Sequence, residues 1–358
     1  MASKTFIRIE MLPAGHGDAL IVHYRARDTV ARMLIDGGPS YTYETLLNRL
    51  LALPPDQRHF ELLVITHIDG DHIDGIVRLL QEDLDELGIS FDDIWFNGTD
   101  QMDQVLAAED ALGAKQGEYL QALLNHKQLP WNVAFSGGPV MASPKKPITL
   151  GSGAKIRLFS PTRDKLLALL GHWDKIITAE GYTTGDTAEA MERLSKDRRL
   201  RALGGEEDTL GSSSDNRTDD TSDRSKANGS SIAFTLEVGR RKVLFGGDAH
   251  PDVLLRSLDA FLKPDKRLKL AAFKVPHHGS SGNLSAKLLN RLDCTNFLIS
   301  TNGSYFDHPD SAAIELLISE VDESHLWFNY ATERTTRWLD PDVGEDAVVH
   351  LPCGIKYP

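Results

Sequence analysis

The sequence predicts an α/β protein of the α+β kind, folded as a four-layer αββα sandwich. Three observations point there. Short apolar or alternating runs, most of them ending near Gly, Asp or Pro, recur through both halves of the 358 residues. Helical spacing separates those runs. Several strand ends carry His or Asp, so both halves deliver polar side chains toward one edge of two packed sheets.

The elements follow in order. Phe6-Ile7-Arg8-Ile9 alternates, and Leu20-Ile21-Val22 and Met33-Leu34-Ile35 are apolar; all three read as strands. Tyr43 to Leu53 reads as a helix stopped by Pro54-Pro55. A strand over 62–66 and a helix over 71–82 come next, then a short strand, Ile94-Trp95-Phe96, closed by Asn97-Gly98. Leu106, Leu112, Leu120, Leu123 and Leu124 give residues 102–128 helical spacing. Ile156 to Phe159 is a strand ended by Pro161, and Leu166, Leu167, Leu169 and Leu170 mark helix within 162–202. Residues 98–203 therefore read as a partly helical insertion. Residues 204–229, rich in Asp, Ser, Thr, Gly and Asn, bury little apolar area and read as a flexible polar loop placed to cover a site. In the second half, Ile232 to Leu236 and Val243 to Phe245 flank a Gly239-Arg240 turn. Further strands are expected at 271–275, 297–300, 326–328 and 347–351, all within a single domain spanning 1–358.

Composition narrows the function. Apolar residues make up 41% of the chain, enough for a core, and no run reaches the roughly twenty apolar residues of a membrane helix. The N-terminus alternates like a strand and lacks a signal-peptide core, so the expected setting is the cytoplasm, with no membrane partner. Two cysteines, Cys294 and Cys353, are too few for a disulfide scaffold or a Cys-rich zinc site and read as ordinary thiols. The net charge of −13 argues against a broad basic surface for nucleic acid. The basic runs Lys145-Lys146, Arg198-Arg199 with Arg201, and Arg240-Arg241-Lys242 read as solvated faces.

The chemistry concentrates at Thr66-His67-Ile68-Asp69-Gly70-Asp71-His72-Ile73-Asp74-Gly75, between the strand and the helix. Extended residues two apart point the same way, so His67 and Asp69 can approach one ion together. Asp71 and His72 leave the turn at the helix start and can reach a second. Imidazole suits zinc, and carboxylates suit harder ions such as manganese. A polar turn with a capping Asp would explain Asp71 alone. It does not explain four potential ligands in six positions.

This segment resembles the Thr-His-x-Asp-x-Asp-His-x-x-Gly signature of the metallo-β-lactamase fold. More narrowly, it is similar to the variant with Asp, here Asp69, at the usual second His. That variant occurs in the hydrolase domain of ComEC/Rec2-type DNA-uptake proteins and in stand-alone relatives such as phosphorylcholine esterases. Further similarities come in the same order along the chain: Gly15-His16-Gly17-Asp18-Ala19, Leu34-Ile35-Asp36-Gly37-Gly38, Asn228-Gly229-Ser230-Ser231, Gly246-Gly247-Asp248, Lys274-Val275-Pro276-His277-His278-Gly279-Ser280 and Asp307-His308-Pro309.

The resemblance implies a sandwich of the metallo-β-lactamase type and a site for two divalent ions, zinc with manganese as the alternative. It implies that Asp248 bridges both ions. One of His277 and His278 is expected to bind metal and the other to face substrate, because on extended backbone their side chains diverge; we assign His278 to the metal and His277 to catalysis. Asp71 is also expected to orient the attacking water or accept its proton, and His308 to stabilise the developing oxyanion or protonate the leaving group. Asp18 and Asp36 are expected to fix ligand His tautomers, with Asn228 and Ser280 placed near substrate. The fold's usual intermediate His has no counterpart: His126 and His172 lie in the interval, but each sits in a helical stretch. The expected activity is that of a phosphodiesterase or nuclease acting on DNA or a small nucleotide. The alternatives are a phosphorylcholine-type or other ester hydrolase and, in a different class, a degenerate metal-binding regulatory module.

Overall fold

The computed structural model describes residues 5–103, 114–179, 181, 183–200, 223, 225–340, 343 and 347–351. A five-stranded sheet runs β1 (Phe6–Met11), β2 (Leu20–Arg25), β3 (Ala31–Ile35), β4 (Leu62–Val64) and β5 (Ile94–Trp95) in spatial order. An eight-stranded sheet holds β6 (Ile148–Thr149), β7 (Lys155–Ser160), β8 (Ala233–Val238), β9 (Arg241–Phe245), β10 (Ala272–Lys274), β11 (Asn296–Ile299), β12 (Ser324–Phe328) and β13 (Ala347–His350), also in order.

Strand alternation builds the layers. Val22, Met33, Val64, Phe234, Val243 and Phe245 pack between the two sheets. Their neighbours point the other way. Ile21, Leu34 and Leu63 face the helices α1 (Tyr43–Leu51), α2 (Gly70–Leu79), α3 (Ala114–His126) and α4 (Arg163–Ala179), where Leu50, Ile76, Leu123 and Trp173 cover them. Leu244, Phe273 and Phe297 face α6 (Pro251–Phe261) and α7 (Ser311–Glu320) through Leu254, Leu258, Ile314 and Leu317. The order is helices, sheet, sheet, helices: the four-layer αββα sandwich.

Each sheet changes from antiparallel to parallel pairing partway across. In the first, β3 pairs β4 in parallel with Ile35 opposite Val64. In the second, parallel pairing starts at β9 and β10, with Phe245 opposite Lys274, and continues to β11 with Lys274 opposite Leu298. The carboxyl ends of parallel strands are where open α/β sheets place ligands, and here β3, β4, β9, β10 and β11 all end at the same edge.

Several boundaries differ from expectation. The strand expected over 62–66 ends at Val64, and the Thr66 amide donates to Asp36 Oδ1 (2.7 Å). The helix expected within 162–202 is two helices, α4 and α5 (Thr187–Leu194), because Gly181 and Gly185 adopt left-handed φ of 74° and 76° and Asp186 caps the second. Of the polar loop expected over 204–229, residues 204–222 and 224 lie outside the described residues, as do Leu106, Leu112 and Cys353. Lys226–Gly229 is a helical turn capped by Ser225, with Asn228 and Gly229 buried, so this end of the segment is structured. The helices α6 and α7 were not anticipated. Among the described residues no helix is long and apolar enough to cross a membrane, and Cys294 is a buried free thiol.

Candidate metal centre

The centre starts at the turn between β4 and α2. Asp69 is the N-cap residue of α2, with extended backbone (φ −69°, ψ 141°), yet its carboxylate makes no capping bond. Instead Oδ2 lies 3.5 Å from His67 Nε2. A plain capping role is thereby removed. Two close backbone approaches seat the turn. A Cβ on Gly75 would lie 2.0 Å from the Gly37 carbonyl oxygen, and one on Gly17 would lie 1.8 Å from the Asp71 carbonyl oxygen.

Four imidazoles then have their Nδ1 atoms engaged away from the centre. Asp36, left-handed at φ 55°, accepts from Thr66 Oγ1 (2.8 Å) and from His72 Nδ1 (2.9 Å) through Oδ2. With its proton given to Asp36, the Thr66 hydroxyl accepts from His67 Nδ1 (3.0 Å). His278 Nδ1 donates to the Ser300 carbonyl (2.9 Å). Asn283 donates its amide to the Asp248 carbonyl and to Asp223 Oδ2, so its Oδ1 accepts from His277 Nδ1 (2.8 Å). All four rings therefore turn Nε2 inward. Those atoms lie 3.8 Å (His67), 3.4 Å (His72), 3.9 Å (His277) and 3.7 Å (His278) from one oxygen, Asp248 Oδ2.

Asp71 Oδ2 completes one side, 3.2 Å from His278 Nε2 and 3.8 Å from His72 Nε2; those two nitrogens are 3.3 Å apart. Donor atoms about 2.0–2.2 Å from a tetrahedral zinc ion lie roughly 3.4 Å from one another. The spacings around Asp71, His72, His278 and Asp248 match that. His67 Nε2 lies between two further carboxylates, 3.8 Å from Asp248 Oδ2 and 3.5 Å from Asp69 Oδ2. His67 Nε2 and Asp248 Oδ1 are buried without a hydrogen-bond partner, so the donor set fits divalent ions. The groups of His67, His72 and Asp248, and of Asp18, His72 and His278, each bring their ligand atoms within 4.8 Å of one another.

Electrostatics agree. Burial opposes charge on every group, yet the carboxylates outweigh it at the rings. The neighbouring Asp248, Asp71 and Asp36 hold the His72 pKa well above its ordinary value, and Asp248 with Asp18 pushes that of His278 up to about 9. The Asp248 carboxyl is held well below its usual range by His72, His278 and His277 against the cost of burial. A pocket that binds protons this strongly calls for positive charge.

The surroundings are uneven. On the deep side, the Lys274 ammonium pairs with Asp18 Oδ2 at 2.6 Å, both side chains at most 2% exposed, and Asp18 Oδ1 sits 3.4 Å from His278 Nδ1. On the open side, the His277 side chain is 19% exposed, and its ring is 5.2 Å from that of His308, which donates through Nδ1 to Asp310. Burial lowers the His308 pKa despite Asp310. Asn228 donates to Asp223 Oδ2 (2.8 Å), which lies 3.6 Å from His277 Nδ1, and the Ser280 hydroxyl accepts from the Gly282 amide.

The backbone of His277 and His278 is left-handed (φ 48° and 54°), not extended as expected. Both rings consequently reach Asp248 instead of diverging. His126 is exposed and His172 lies on α4; neither belongs to the cluster. Sequence reasoning missed Asp223, which gathers Asn228 and Asn283, and His250, whose Nε2 lies 3.6 Å from Asp223. It also missed a site role for His16, which bonds the Tyr41 hydroxyl (2.9 Å) beside Asp71.

No protein-family model matches the chain, and no curated protein does. Among solved structures it is similar to the metallo-beta-lactamase fold protein YhfI from Bacillus subtilis, at 10% identity and a TM-score of 0.43, over 99% of this chain and 98% of that one. It is also similar to a mutant of the CmlA beta-hydroxylase, at 11% identity and a TM-score of 0.38, over 98% of this chain and 52% of that one.

Proposed function

We propose that the chain is a metal-dependent hydrolase of phosphodiesters. The observation that carries this reading is the convergence of four inward Nε2 atoms on Asp248, with the Asp71 carboxylate beside two of them. His67, Asp69 and Asp248 would hold one divalent ion; Asp71, His72, His278 and Asp248 would hold the other. Ions held by these residues would activate water at neutral pH and offset phosphate charge.

The chain's own residues do the rest. Asp36, Thr66, Ser300 and Asn283 lock the ring tautomers that leave Nε2 free. Asp71 accepts a proton from the attacking water. On the open side, His277 and His308 hold their Nδ1 protons on Asn283 and Asp310, so a second proton taken up at Nε2 is the one they can pass to the leaving oxygen. Asp69 and the His-His-Gly-Ser segment support a phosphodiester over a carboxylic ester, by the resemblance they carry.

The test strips the protein of metal, restores zinc or manganese, and compares a bis-phosphodiester chromogen, single- and double-stranded DNA and a carboxylic ester. Metal-dependent turnover of the phosphodiesters is expected. Turnover of the carboxylic ester alone defeats the phosphodiester assignment. Failure to bind either metal, with no activity restored, sinks the hydrolase reading and leaves a binding module.

A further inference from the structure

Six large apolar side chains stand exposed among the described residues, and two of them, Tyr41 (50%) and Tyr305 (44%), border the metal centre. They belong to a continuous group of rings. His16 touches Tyr41 (5.9 Å between centroids), Tyr305 (5.2 Å) and Phe306 (6.1 Å), and Tyr305 touches Phe306 (4.6 Å). Phe306 in turn touches His277 (6.4 Å) and His308 (5.9 Å). The rings thus run without a gap from solvent to a side chain 3.9 Å from Asp248.

Their mounting is rigid. His16 holds the Tyr41 hydroxyl, the Asn302 amide donates to the Gly15 carbonyl (2.8 Å), and the Tyr330 hydroxyl accepts from the Gly15 amide (2.8 Å). Centroids 4.6–6.1 Å apart are in direct contact. No space remains between His16 and either tyrosine, or between Tyr305 and Phe306, for a trimethylammonium group, and the exposed rings form a shelf. What remains available is the outward surface of Tyr41 and Tyr305, which suits a flat, aromatic ligand.

We propose that Tyr41 and Tyr305 stack a nucleobase next to the scissile phosphate, making the substrate a nucleoside phosphodiester. This rests on the phosphodiesterase reading. Two esters with one leaving group separate the parts: thymidine p-nitrophenyl phosphate and methyl p-nitrophenyl phosphate. The wild type is expected to show the lower KM for the thymidine ester. Tyr305→Ala is expected to narrow that preference roughly tenfold, the scale of losing one base–aromatic stack, and Tyr305→Phe to restore it. An equal change for both esters, or a better fit of the p-nitrophenyl ester of phosphocholine, overturns the proposal. Calorimetric titration of the metal-loaded protein with thymidine monophosphate and with inorganic phosphate gives a readout without turnover. Nucleotide binding that weakens in Tyr305→Ala while neither ester is cleaved supports the shelf and sinks only the hydrolase reading. Binding no tighter than that of phosphate overturns the shelf.

Discussion

The two sides of the metal centre are built differently. On the deep side the groups behind the ligand rings are buried and paired: Asp36 with Thr66 and His72, Asp18 with Lys274, Ser300 with His278. On the open side Asp69 is 36% exposed, His277 is partly open, and tyrosine rings face solvent. The deep side fixes where the donor atoms are. The open side is left to meet a substrate. The difference teaches that damage to the two sides should separate into loss of metal and stability on one, and loss of selectivity on the other.

The largest break is at the atom both sides share. Asp248→Ala is expected to remove bound metal and to lower turnover by more than about a thousandfold, since it acts on the whole unit; metal analysis reads both sites at once. Two metals retained in that variant would refute the bridging role.

Next comes the deep side. Lys274→Met leaves Asp18 charged and buried, at a cost of about 3–5 kcal/mol in urea denaturation. Adding Asp18→Asn is expected to recover much of that. A single variant as stable as wild type would show that the pair is not what holds this side together. Smaller still, Asp36→Asn is expected to weaken metal affinity by about 10–100-fold, with the fold retained; competition against a chelator measures it. An unchanged affinity would remove Asp36 from the tautomer lock.

The smallest effect tests whether burial sets these costs. Glu10 on β1 meets His23 (3.1 Å) and Arg49 (2.7 Å) at a half-open position. Burial raises its pKa, but His23 and Arg49 outweigh it and bring it from 4.5 down to about 2. Its stabilising contribution is present above pH 4.5 and lost as the pH falls toward 2. Thermal unfolding of Glu10→Gln should therefore lose less stability than wild type across that window; identical acid profiles would remove Glu10 from the account.

Much of this is legible in the sequence. The strands around His67, Asp248 and His278 show as short apolar runs, because a strand buried on both faces has little room for polar residues. The His67–His72 segment is local, so its density of donors shows in the sequence alone. Residues brought in from separate loops were harder to read. Asp223 sits in a polar stretch that reads as flexible, and nothing in its neighbours signals that Asn228 and Asn283 will converge on it. The left-handed turn at His277 and His278 defeats a rule based on extended backbone. Pro251 at the first turn of α6 was a helix-start signal that went unread. His16 and Tyr305, some 290 positions apart, become neighbours where the Gly15–Asn302 bond joins their loops.

The glycine contacts under α2 have a consequence for how such a centre changes. Gly17 meets the Asp71 carbonyl and Gly75 meets the Gly37 carbonyl, main chain against main chain. The address of each donor is written in backbone, while its chemical identity is written in side chain. Ligands can therefore be exchanged one at a time, Asp69 for His among them, without moving the scaffold that presents them. A variant series at position 69 would tune metal preference on a fixed frame, whereas any side chain at position 17 or 75 would unseat the whole turn.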